Sequence, residues 1–66
     1  MNIEKLINEA KLLHKRSYGF KPINSLNSLL KAKYILNQIN YPKNEELYIE
    51  NERLINNYKN KLGIKQ

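Results

Sequence analysis

Chemistry near neutral pH needs a side chain that can exchange a proton or attack as a nucleophile, and this 66-residue sequence offers one natural candidate, His14. Cysteine and aspartate are absent, which removes thiolate nucleophiles, disulfides and most metal-ligand sets. Ser17, Ser25 and Ser28 fall where turns and helix caps favour serine. Glu45, Glu46, Glu50 and Glu52 could surround a hard cation, but they also open a helical segment, where carboxylates complement the backbone dipole. No Gly-rich phosphate loop or metal-ligand spacing occurs. His14 itself is expected to pack its ring on Leu13 and the following turn. The reading is non-enzymatic: no catalytic residue, no cofactor and no metal.

What remains is binding. The stretch HKRSYGF, residues 14–20, sets basic groups beside two aromatic rings. Lys15, Arg16, Tyr18 and Lys21 form the candidate partner-binding patch, which Lys31 and Lys33 could extend. Leu12 and Ile49 join the candidates because each breaks the apolar stripe of its helix. Phe20 has no polar handle and is the better ring to bury at the turn, while Tyr18 can keep its hydroxyl in water.

The charge balance points the same way. Twelve Lys and Arg against six Glu give a net charge of +6. Residues 1–43 carry eight bases and two acids, and residues 44–66 carry four of each. Such an excess favours an anionic partner without specifying a fold. No apolar run approaches the ~20 residues of a membrane span, and the first residues lack the apolar core of a secretory signal. A cytoplasmic protein is expected. Abundant Asn, Lys and Ile with little Arg suit an AT-rich bacterium, a phage or another mobile element.

Periodicity predicts the elements that must position these groups. A first helix spans about 3–16, with Ile3, Leu6, Ile7, Ala10 and Leu13 in one stripe and Asn2 as N-cap. Gly19 is read as a left-handed turn residue and Pro22 as a break. A second helix spans about 25–40, capped by Asn24 or Ser25 and ended by Tyr41-Pro42. Its apolar residues Leu26, Leu29, Leu30, Ala32, Ile35, Leu36 and Ile39 cover most of the circumference, so it should be central and covered from two directions. Lys33 inside that arc is unexpected. A third helix spans about 45–62, capped by Asn44 and closed by Gly63, with Asn51 in the middle of its apolar stripe. The fold class is all-α: one domain over 1–66, a small three-helix bundle made of a helical hairpin plus a third helix. A chain this short is marginal alone, so completion by a homodimer is expected.

The stretch IENERLINNY, residues 49–58, is slightly similar to the region around the S-Q-E-L-D signature of the small sporulation phosphatases. In that register the signature positions read Tyr48, Ile49, Glu50, Asn51 and Glu52, without the serine and glutamine. A second register reads Ser28 to Ala32, without the carboxylates. Neither keeps the chemistry, and no membership is assigned.

A helix-turn-helix reading of the second and third helices would drive NEELYIENE and its four glutamates toward phosphates, which opposes it. The function expected is a small helical protein that docks on a partner protein as a regulator or inhibitor. The alternative is a sequence-nonspecific nucleic-acid binder using the first helix and first loop.

Overall fold

The computed structural model describes residues 2–19 and 21–64. Over them run three α-helices: α1 (Ile3–Arg16), α2 (Pro22–Gln38) and α3 (Glu46–Lys61), with a 3-10 turn over Ser17–Gly19. No strand occurs among the described residues. The all-α bundle predicted from periodicity is the observed architecture. Phe20 lies outside the described residues.

Each helix end has a local cause. The Asn2 Oδ1 accepts the Lys5 backbone N–H at 3.2 Å, so α1 is capped as expected. The start of α2 corrects the sequence reading. Pro22 is the first helical residue rather than a break, because a ring-fixed φ and a missing N–H cost nothing at that position. Lys21 is the N-cap, and the helix begins three residues before the expected start at 25. Glu45, not Asn44, precedes the first turn of α3, with no side-chain cap.

The ends of α2 and α3 share one device. Asn40 takes φ 55°, and the Tyr41 and Asn40 amides donate to the Leu36 and Asn37 carbonyls at 2.9 and 3.2 Å. Gly63 takes φ 73°, and the Ile64 and Gly63 amides donate to Lys59 and Asn60 at 2.8 and 3.1 Å. Both are Schellman closures, which satisfy carbonyls that the helix itself leaves open. Asn40 therefore ends α2 before Pro42 is reached. Gly19, by contrast, is not left-handed; the only positive-φ glycine among the described residues is Gly63.

Ser17 is the C-cap of α1 and opens the 3-10 turn, as expected, whereas Ser25 and Ser28 lie inside α2 as neither caps nor surface groups. Ser17 and Ser25 are fully buried and Ser28 nearly so, along the seam between α1 and α2. Their hydroxyls all donate to carbonyls at the end of α1 and the turn after it, and the His14 carbonyl also accepts the Ser17 backbone N–H. Ser17 Oγ donates to the His14 carbonyl at 2.6 Å, Ser25 Oγ to the Ser17 carbonyl at 2.5 Å, and Ser28 Oγ to the Leu13 carbonyl at 2.7 Å. The Ser28 bond crosses from α2 to α1, and the Ser25 bond from α2 to the 3-10 turn that follows α1. They fix an antiparallel α1–α2 hairpin by directional contacts.

Two apolar clusters hold the rest. Ala10, Ala32, Leu36 and Tyr48 meet where the three helices converge, with Leu13, Ile35, Tyr41 and Leu47 packed around them. Leu26, Leu29, Leu54 and Ile55 join α2 to α3 alone, with Tyr58 at the margin. Burying each of Leu29, Leu36 and Ile55 contributes about 1.5–3 kcal/mol. Asn51 is 1% exposed inside the α2–α3 interface. Its Nδ2 donates to the Leu29 carbonyl at 3.3 Å, while its Oδ1 accepts from no described group. Lys33 is explained by Glu52, whose carboxylate it meets from α2 to α3. The Glu52 oxygen has no aligned hydrogen bond, so the contact is coulombic.

Candidate binding groove

With three helices in a body of 36 × 22 × 16 Å, α1 and α3 both sit on α2, and no fourth described element covers its far side. Residues 23, 27, 30 and 34 fall at i, i+4, i+7 and i+11, one row along a helix. That row is Ile23, Asn27, Leu30 and Tyr34, all of it exposed. Leu30 is 38% and Tyr34 64% exposed. The expectation that Leu30 belongs to a covered arc is therefore corrected: two neighbours do cover α2, but they leave this row free.

Beside the row, α1 and α2 enclose a groove of about 660 Å³ lined by Leu13, Leu30, Ile35 and Tyr34, with Glu9, Asn27 and Lys31 at its polar edges. A second depression, of about 310 Å³, continues from it over Arg16, Asn24 and Ser28, and shares Leu13, Asn27 and Lys31 with the first. The two form one surface, apolar at one end and cationic at the other. Arg16 and Lys31 enter no ion pair with any described residue. The described ion pairs, Lys33–Glu52 and Glu50–Arg53, both involve α3. The serine seam explains why α1 and α2 hold this spacing, since Ser28, a lining residue, also binds the Leu13 carbonyl.

The sequence candidates are distributed over the molecule rather than gathered. Arg16 lines the groove. Lys15 and Leu12 are exposed on α1, Lys21 is exposed at the start of α2, and Ile49 is 52% exposed on α3. Tyr18 is 64% exposed. Its ring meets His14 edge-on, with centroids 6.0 Å apart and planes at 81°. Lys33 is engaged by Glu52 and does not extend a free basic patch. Asn24, Asn27, Leu30 and Tyr34 were not singled out as binding residues from sequence. Their signal is the i, i+4, i+7, i+11 row.

The proton chemistry lies on the other side of α1. His14 is half-buried, and burial holds its pKa below the ordinary value; Glu50 opposes the shift and Arg53 adds to it. Its Nδ1 finds no described partner. Glu50 accepts both Arg53 guanidinium nitrogens, at 3.0 and 2.7 Å, and that fork holds its carboxyl below the ordinary value. No group of three His, Cys, Asp or Glu among the described residues could hold a metal ion. No described helix is long and apolar enough to cross a membrane. No family model matches the sequence, and no curated protein or solved structure matches it either.

Proposed function

We propose that this chain is a non-enzymatic binding protein that docks a partner protein in the α1–α2 groove, and so acts as a regulator or inhibitor by occupying its target. One observation carries the reading: the Leu30–Tyr34 row of α2 is exposed beside a groove whose walls are tied by the Ser28 to Leu13 hydrogen bond. Recognition of a helix or extended segment by a preformed apolar groove needs little rearrangement of the receptor. The helical bundle supplies rigidity, and nothing in the reading calls on proton transfer.

The test is capture from a lysate of an AT-rich bacterium, with and without nuclease, using the wild-type chain and a Leu30→Glu, Tyr34→Ala variant. Both positions are exposed, so the variant should keep its helical circular dichroism. A protein retained after nuclease and lost from the variant is the expected result. A partner held equally by both chains would move the docking surface elsewhere, and loss of all capture on nuclease treatment would favour nucleic acid.

A further inference from the structure

We infer that the occupant of the α1–α2 groove is an acidic amphipathic helix of a partner protein, with apolar side chains over Leu30 and Tyr34 and carboxylates over Arg16 and Lys31. This rests on the reading of the groove as a docking site and adds the chemistry of its occupant.

Charge complementarity selects that occupant. Arg16 lines one end of the groove with Asn24, Lys31 and Asn27 lie where the two depressions join, and no acid lines the Arg16 end. Neither cation is neutralised by a described residue, because the ion-paired glutamates, Glu50 and Glu52, are on α3. Arg16 offers a planar fork suited to a carboxylate, and Lys31 a second charge beside it. The other end is apolar, with Glu9 as its one acid. An occupant must therefore set apolar side chains on Leu30 and Tyr34 and carboxylates beside them, within reach of Lys31 and Arg16. The row from Ile23 to Tyr34 rises about 17 Å, which matches about three turns of a partner helix.

Other occupants fit less well. A nucleic acid would need phosphates along the whole track and rings for its bases, but the groove holds a single aromatic, Tyr34, and a carboxylate, Glu9. A second copy bound across a two-fold axis would set this surface against itself. The paired surface would then hold four cations, Arg16 and Lys31 from each copy, against two Glu9 carboxylates.

The test uses fluorescence anisotropy on three labelled probes. One is a peptide of about 14 residues with leucines at helical spacing and glutamates elsewhere. The second is the same peptide with lysines for glutamates, and the third is a thymidine oligonucleotide of similar length. At about 150 mM salt the acidic peptide should bind at least about tenfold more tightly than either other probe. Arg16→Gln with Lys31→Gln should weaken it by about fivefold or more, while the charge-matched Lys11→Gln with Lys43→Gln should change it by less than about twofold. Equal effects of the two double variants would overturn the site, as would preferred binding of the oligonucleotide. If both peptides bind alike and Leu30→Glu abolishes both, the acidic occupant is overturned while the groove stands. If Leu30→Glu leaves the acidic peptide unaffected, groove and occupant fall together. A dimer in sedimentation equilibrium that Leu30→Glu dissociates would assign the groove to a second copy and overturn the proposal.

Discussion

The two sides of α2 are held by different chemistry. Toward α3 the interface is apolar, built on Leu26, Leu29, Leu54 and Ile55, with one amide and one ion pair inside or beside it. Toward α1 it is a seam of small residues, Ser25, Ser28 and Ala32 against Ala10 and Ser17, fastened by hydroxyl-to-carbonyl bonds. Apolar contact supplies free energy but little direction. Hydrogen bonds between fixed carbonyls and short side chains supply direction with a smaller net gain, about 1 kcal/mol each. The α3 side thus stabilises the bundle, while the α1 side sets the geometry of the groove.

Substitutions on the two sides should separate these roles. Ile55→Ala should have the largest effect, about 3 kcal/mol, because it removes a fully buried side chain from the α2–α3 cluster. Domains of this size have total stabilities of only about 3–10 kcal/mol, so a urea titration should show a loss of much of the transition midpoint. Ser25→Leu should come next. A leucine cannot fit a fully buried serine position without separating the helices, at a cost of about 1–3 kcal/mol. Its signature should be local, with amide protection lost in α1 and retained between α2 and α3. Ser28→Ala should cost about 1–2 kcal/mol, since the Leu13 carbonyl loses its donor. If Ser28→Ala proves more damaging than Ile55→Ala in the same titration, the division of labour between the two sides is reversed.

A smaller change should run in the opposite direction. Asn51 is buried with its Oδ1 unpartnered among the described groups, and its one bond, at 3.3 Å, is long. Asn51→Leu replaces an incompletely satisfied amide by an apolar side chain of similar volume, and should raise stability by up to about 1 kcal/mol. Its cost should appear in uniqueness, because the amide is the directional contact inside an otherwise apolar interface. A raised melting temperature with broadened α3 resonances is expected. A lowered melting temperature would mean that the bond to Leu29 outweighs the orphaned oxygen.

The asymmetry also explains what could be read in the sequence. Helix α1 was legible to its ends because Asn2 is a side-chain cap and its apolar residues recur at helical spacing. Helix α3 was legible to within one residue at either end for a similar reason: its stripe runs into Gly63. The start of α2 was misread because proline carries two meanings, a breaker within a helix and a favoured first residue. Ser25 and Ser28 were misread because a hydroxyl that serves a neighbouring element has the same local sequence as one that caps its own helix. The groove was the least legible feature. Arg16 and Lys31 are 15 positions apart, and only the antiparallel hairpin brings them to one surface. Leu30 belongs to an arc wide enough to suggest full burial, and which part of it stays open depends on where α1 and α3 settle.

The finest test of the comparison concerns His14, which lies within electrostatic reach of Glu50 and Arg53 on α3. Burial favours its neutral form, so its folded pKa lies below the unfolded value of about 6.5. The unfolded chain therefore binds more protons in the interval below that value, and stability must fall as pH falls through it. Above about pH 7 both states are neutral at this position and the effect vanishes. The groups facing the ring are Tyr18, Glu50 and Arg53. Glu50 is also depressed, but its contribution is lost only as pH falls below the ordinary carboxylate value of 4.5. Urea titrations at about pH 7.5, 6.5 and 5.5 thus isolate the histidine. The wild-type chain should lose stability steadily across that series, and His14→Gln should be flat. A wild-type chain that gains stability on acidification would show that the attraction of Glu50 outweighs burial.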